Sequence, residues 1–76
     1  MNSNESEQLL KLVSTKMPFG KYEGTLISDL PVSYLEWFAR KGFPAGKLGE
    51  LLSICLTIKS NGLEHILHEL KRIQHK

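Results

Sequence analysis

A single cysteine, Cys55, stands in the 76 residues. That excludes an internal disulfide and any multi-cysteine zinc site. Cys55 lies between Ile54 and Leu56, with no His or Lys within a helical turn to lower its pKa, so it reads as a small buried hydrophobe. No apolar run approaches the 18 residues of a membrane span, and the polar, acidic N-terminus argues against a secretion signal. A cytoplasmic protein without membrane contact is therefore expected. Neither sign of charge dominates: the formal net charge is +2 and the pI about 8.8. Such a balance permits an anionic partner without demanding one. Repeats, low-complexity tracts and linkers are missing, so 1–4 read as a disordered N-terminus and 5–76 as one domain.

Catalytic chemistry is also thin. No Ser-His-Asp order stands out, and Glu36, Glu50 and Glu64 are scattered singly at exposed-looking helix positions. Asp29 has a helix-entry role that accounts for it. A domain of this size rarely encloses a deep pocket, so a non-enzyme with no cofactor is expected. The run Gly42-x-x-x-Gly46-Lys47-Leu48 invites a phosphate-loop reading and fails it. Its glycine spacing is one residue short, Leu48 replaces the Ser or Thr that would hold magnesium, and a helix precedes it instead of a strand. His65 and His68 share a helical face with Glu69 and Arg72, and His75 is the third imidazole. No further ligand is visible, so the face reads as solvated and no metal is assigned.

What the chain does have is apolar periodicity. Apolar residues make up 41% of it, enough for one core. Leu9, Leu10, Leu12 and Val13 give one face to a helix over 5–14, started by an Asn4/Glu7 capping box. Ser28-Asp29-Leu30-Pro31 signals a second helix, with Pro31 in its first turn, running to Lys41 and stopped by Gly42. Tyr34, Leu35, Phe38 and Trp37 form its apolar side, Trp37 being read as core. A third helix over 47–60 carries Leu48, Leu51, Leu52, Cys55 and Ile58, widened by Ile54 and Leu56, and is the central core helix. Asn61-Gly62 ends it. A fourth, over 63–72, places Leu63, Ile66, Leu67 and Leu70 on one stripe.

Between the first two helices lies Met17-Pro18-Phe19-Gly20-Lys21-Tyr22-Glu23-Gly24, where Gly, Pro, aromatic and basic residues interleave most tightly. Gly20 and Gly24 suggest a tight reversal at positive φ. Met17–Phe19 and Thr25–Ile27 then become two short strands, with Pro18 confining its strand to an edge. Phe19 plugs the core, Lys21 sits at the tip, and the exposure of Tyr22 stays open. The expected fold is α+β: a short two-stranded β-hairpin packed on about four α-helices.

This stretch, with Leu30-Pro31, Tyr34-Leu35-x-Trp37-Phe38 and Lys41-Gly42-Phe43-Pro44, resembles a small bacterial family of unknown function labelled putative quorum-sensing-regulated virulence factor. The likeness continues through Leu48-Gly49-Glu50-Leu51-Leu52 and Ile58-Lys59-x-Asn61-Gly62-Leu63. The Met-Pro-Phe-Gly-Lys-Tyr motif, followed by Leu-Pro and Tyr-Leu-x-Trp, also resembles the C-terminal module of exonucleases of the exodeoxyribonuclease X and polymerase III epsilon group. There the module accompanies a separate catalytic domain. That second resemblance implies a non-catalytic accessory role on DNA or RNA, and no nuclease activity.

Residues 11–47 hold Lys11, Lys16, Lys21, Arg40, Lys41 and Lys47 against Glu23, Asp29 and Glu36, so any basic face lies mid-chain. Lys16, Lys21, Arg40, Lys41 and Lys47 are the candidate phosphate contacts, with Tyr22 or Trp37 available for base stacking; with Trp37 read as core, Tyr22 is the candidate stacking surface. Pro18, Phe19, Gly20, Gly24, Pro31 and Trp37 form the structural motif around them. The rival expectation is a protein-interaction or regulatory module, including a homodimer, with an apolar contact patch.

Overall fold

A computed structural model describes residues 3–74, with side-chain environments from residue 7 onward. Four α-helices follow one another: α1 (Ser3–Leu12), α2 (Val32–Lys41), α3 (Lys47–Ser60) and α4 (Glu64–Gln74). A 3-10 turn at Ile27–Asp29 precedes α2. The third helix has its expected bounds, and α2 its expected end at Gly42. The first spans Ser3–Leu12 instead of the expected 5–14, so Asn4 lies inside it and does not cap it. Of the expected disordered stretch, residues 1 and 2 lie outside the described residues, as does His75.

The α+β expectation is overturned: among the described residues there is no strand and no sheet. The hairpin reduces to one isolated antiparallel bridge, Lys16 with Leu26. The peptide N–H of Met17 donates to the Thr25 carbonyl at 2.8 Å, and that of Ile27 donates to the Thr15 carbonyl at 3.0 Å. Beyond this pair a ladder cannot grow. Pro18 has no N–H to offer. Gly20 and Gly24 stand at φ +81° and +88°, outside the extended region. The segment between them closes on itself instead, through Glu23 N–H to the Gly20 carbonyl and Thr25 N–H to the Tyr22 carbonyl. The product is a knotted-down loop of successive turns, with Gly24 N–H reaching back to the Met17 carbonyl at 2.8 Å.

That double anchoring also corrects which residue enters the core. Met17 is buried, whereas Phe19 is 45% exposed. With both backbone groups of Met17 tied across the loop, its side chain turns inward, and the chain leaves the interior through exposed Pro18. The helix entry differs as well. Pro31 is the N-cap of α2, at φ −64° and ψ 149°, and its carbonyl accepts from the N–H groups of Tyr34 and Leu35. Asp29 does not cap that helix: it belongs to the 3-10 turn, and its Oδ1 accepts from Lys71 Nζ of α4 at 2.8 Å.

Helix α3 is central, packing against α1, α2 and the 3-10 turn. Leu51, Leu52, Cys55 and Ile58 from α3 meet Leu12, Val13, Met17, Ile27, Leu30, Leu35, Phe38 and Leu67 in one core. The broad apolar arc of α3 thus finds partners on several sides, as its composition requires. Helix α4 packs on α1 and buries only Leu67 fully, leaving Ile73 exposed, as is Leu63 just before the helix. Its second tie is Lys71 to Asp29. Lys59 of α3 donates to the Leu30 carbonyl at 2.7 Å, satisfying the end of the 3-10 turn. No helix among the described residues is long and apolar enough to cross a membrane.

Gly49 is buried inside α3, where alanine would ordinarily be preferred by about 1 kcal/mol. A Cβ there would collide with the backbone carbonyl of Pro44. Gly49→Ala is therefore expected to reverse the propensity rule and destabilise the fold by roughly 2–3 kcal/mol in urea unfolding. A neutral or stabilising effect would show that the Phe43–Pro44 turn can move aside.

Cys55 is fully buried, and its Sγ donates weakly to the Ile27 carbonyl at 3.4 Å. Burial pushes the thiol up from 9.0 to about 11. Lys59, one step beyond a helical turn, pulls the other way, and Asp29 and Glu64 add to the rise. The unfolded thiol ionises near pH 9 while the folded one keeps its proton until about pH 11. Stability present below pH 9 is thus lost as pH rises through that window. Between pH 8 and 10.5 the native chain should lose about 2 kcal/mol more than a Cys55→Ala variant. Equal slopes in urea titrations would contradict this.

Candidate aromatic groove between the loop and the second helix

The anchored loop and α2 enclose an open groove of about 600 Å³, lined on the loop side by Phe19, Lys21 and Tyr22 and on the helix side by Ser33, Tyr34 and Trp37. Its aromatic wall is continuous. Tyr22 and Tyr34 meet edge to face at 4.6 Å between centroids, Tyr34 and Phe38 at 5.2 Å, and Trp37 and Phe38 at 5.1 Å. Such pairs fix ring planes and contribute about 0.5–1.5 kcal/mol each beyond the area they bury.

Two of the rings remain in solvent. Trp37 is 44% exposed, which corrects its reading as a core residue. Leu35 and Phe38 face the interior, and Trp37 lies about 100° round the helix from Phe38. One residue of offset suffices to carry it from the core to the groove. Phe19 forms the other exposed ring. Tyr22, whose exposure the sequence left open, is half-buried against Tyr34. Lys21 is exposed, with its ammonium 5.5 Å from the Tyr22 ring centroid, a cation–π contact that steadies the charge at the groove's edge.

The basic residues divide. Lys21 lines the groove. Arg40 and Lys41 end α2 exposed, and their spacing continues the groove-facing stripe: Ser33, Trp37 and Arg40 recur at four and three residues, and Tyr34, Trp37 and Lys41 at three and four. Lys16 is exposed at the root of the loop, in the bridge to Leu26, outside the groove lining. Lys47 stands at the start of α3, paired with Glu50 at 3.3 Å, and Glu50 also accepts from Gln8. Of the five candidate cations the groove lining holds Lys21, with Arg40 and Lys41 farther along α2 at helical spacing from Trp37. Tyr34 and Ser33 were not singled out as site residues. Their signal was available in the four-residue spacings to Phe38 and Trp37, which also read as simple core packing.

Elsewhere, a smaller hollow of about 180 Å³ lies beside Ser28, Lys59, His68 and the Lys71–Asp29 pair. The Ser28 hydroxyl is buried there without a partner among the described residues. His65 and His68 are exposed on α4. Glu69 beside them accepts from Arg72 at 2.6 Å, and that hydrogen bond holds its carboxyl below the usual range. Among the described residues, no group of three or more His, Cys, Asp or Glu side chains could hold a metal ion.

The fold and groove define a small helical module with an open aromatic face edged by Lys21. The chain belongs to the family described as "Putative quorum-sensing-regulated virulence factor", whose model matches residues 5–70. It is 58% identical over 69 residues to the "Uncharacterized protein YpeB" of Escherichia coli strain K12, across 90% of this chain and 96% of that protein. The same figures hold for the protein of that name in Escherichia coli O157:H7. No solved structure matches. The first of the two resemblances read from the sequence is thus shown, while the exonuclease likeness rests on its motif alone.

Gly20 sets the approach of the loop to α2: it stands at φ +81°, and a Cβ there would lie 3.2 Å from Tyr34 Oη. Gly20→Ala should destabilise the protein by about 1–2 kcal/mol through the backbone alone. Adding Tyr34→Phe should recover the steric part of any further loss, measured by urea unfolding of both variants. If Tyr34→Phe recovers nothing, the loop does not rest on that hydroxyl.

Proposed function

We propose that this chain is a non-catalytic accessory module of the cytoplasm that associates with nucleic acid through the groove between its loop and α2. The observation that carries the reading is the pairing of two solvent-exposed aromatic rings, Phe19 and Trp37, with Lys21 in one groove, while exposed Arg40 and Lys41 follow Trp37 on the same helix. Proteins that hold nucleic acid without an enzymatic step use this combination: cations follow phosphates and rings take bases. Asp29 is held by Lys71, whereas Glu36 neighbours Ser33 and Arg40 on α2 by helical spacing and Glu23 is exposed in the loop, so these two acids oppose the cations. The likeness of Met17–Tyr22 to an exonuclease accessory module supports the same reading. The family's description names virulence under quorum-sensing control and specifies no chemistry.

A protein-interaction module is the second reading, favoured by the exposed apolar residues Leu63, just before α4, and Ile73 within it. Anisotropy titration of short labelled DNA and RNA, single- and double-stranded, separates the two. Binding should weaken with salt, and three phosphate contacts on a single strand give a log–log slope of about −2. Lys21→Ala should reduce that slope by about 0.7. Absence of any salt-dependent shift at low ionic strength sinks the nucleic-acid reading and leaves the protein partner.

A further inference from the structure

We infer that the groove's occupant is a single strand whose unstacked bases lie on Trp37 and Phe19, an inference that rests on the nucleic-acid reading above. In a duplex each base face is covered by its neighbours, so an exposed ring gains little from it beyond the ends. An unpaired strand offers a face at every residue. The groove supplies rings that match such a strand in three respects.

First, the rings are held before any ligand arrives. Trp37 packs at 76° on Phe38, Phe38 at 78° on Tyr34, and Tyr34 at 61° on Tyr22, so the plane of Trp37 is set by a chain of contacts leading back to the core. Fixing a side chain beforehand removes ordering entropy from the binding step. Second, the two exposed rings come from different elements, Phe19 from the loop and Trp37 from α2, on one groove of about 600 Å³. That lies within the range of sites that enclose drug-sized molecules. Third, positive charge lies near the rings along the chain. Lys21 follows Phe19 by two residues on the loop. Arg40 and Lys41 follow Trp37 by about one helical turn on α2. A backbone running along these cations would turn its bases toward the aromatic wall. Glu23, exposed in the same loop, is the acid nearest in sequence to Lys21, and the Glu23→Gln change should tighten binding.

Trp37 is the sole tryptophan, so its fluorescence reads the contact directly. The probes are oligothymidylate, an abasic deoxyribose-phosphate oligomer of equal length and a blunt duplex, each titrated into the full chain at low ionic strength. Oligothymidylate should quench Trp37. The abasic strand and the duplex should each bind at least about tenfold more weakly, as loss of one stacked base implies. Trp37→Ala should weaken oligothymidylate about tenfold, while Trp37→Phe keeps most of the affinity. Because Trp37 is exposed, circular dichroism should show both variants folded. Equal affinity for the abasic strand, equal affinity for the duplex or an unquenched Trp37 overturns the stacking inference and leaves the nucleic-acid reading standing. Failure of every probe to bind removes both and gives the groove to a protein segment.

Discussion

The backbone of Met17 holds the aromatic groove in place. Its N–H and its carbonyl are both engaged across the loop, with Thr25 and Gly24, and its side chain is buried in the core. A residue tied on three sides cannot shift without breaking core packing and two hydrogen bonds together. Everything beyond it, from Pro18 to Glu23, is thereby presented as a fixed loop even though most of it is in solvent. The groove exists because this loop cannot collapse onto α2 any closer than Gly20 permits, and cannot drift away while Tyr22 rests on Tyr34.

The central helix completes the arrangement from below. Helix α3 has apolar residues round most of its circumference and accordingly touches α1, α2 and the 3-10 turn. Its start is fitted to the Phe43–Pro44 turn through Gly49, so the position of α2 is set at both ends: by Pro31 at its entry and by that close approach after its exit. The groove wall is in this sense an extension of the core. Phe38 is buried, Tyr34 is half-buried on it, and Trp37 reaches solvent. Burial falls off gradually along the aromatic chain, which lets one set of contacts serve both stability and display.

Helix periodicity made most of this architecture legible. The bounds of α3, the stop at Gly42 and the broad buried arc over Leu51–Ile58 all follow from local spacing. The loop was not legible in the same way. Pro18, Gly20 and Gly24 each marked a turn correctly, yet a period-two reading of Met17–Phe19 and Thr25–Ile27 made strands of segments that share a single bridge. Two flanking turns and a proline leave too few consecutive N–H groups for a ladder, a count that propensity does not make. Phe19 was assigned inward because a hairpin must pack on helices, and Trp37 because it falls beside the apolar spacing of its helix. Their exposure is decided by tertiary facts: the inward turn of Met17, and a helix face one residue away from Phe38. The charges behaved alike. Lys16, Lys21, Arg40, Lys41 and Lys47 form one group along the chain, but Lys47 stands on α3 and pairs there with Glu50.

Helix α4 follows a different logic. It keeps a single fully buried side chain, Leu67, and its link to the 3-10 turn is a partly exposed ion pair. Ion pairs of that exposure contribute at most about 1 kcal/mol and weaken with salt. The chain is therefore built as a graded structure, with a firmly closed half made by the loop, α2 and α3, and a lightly fastened helix at its end. Local opening is cheapest where few apolar contacts are lost. Amide protons of α4 should accordingly exchange with solvent through excursions that leave the aromatic half intact, so the protein can breathe at one pole while holding its surface steady at the other.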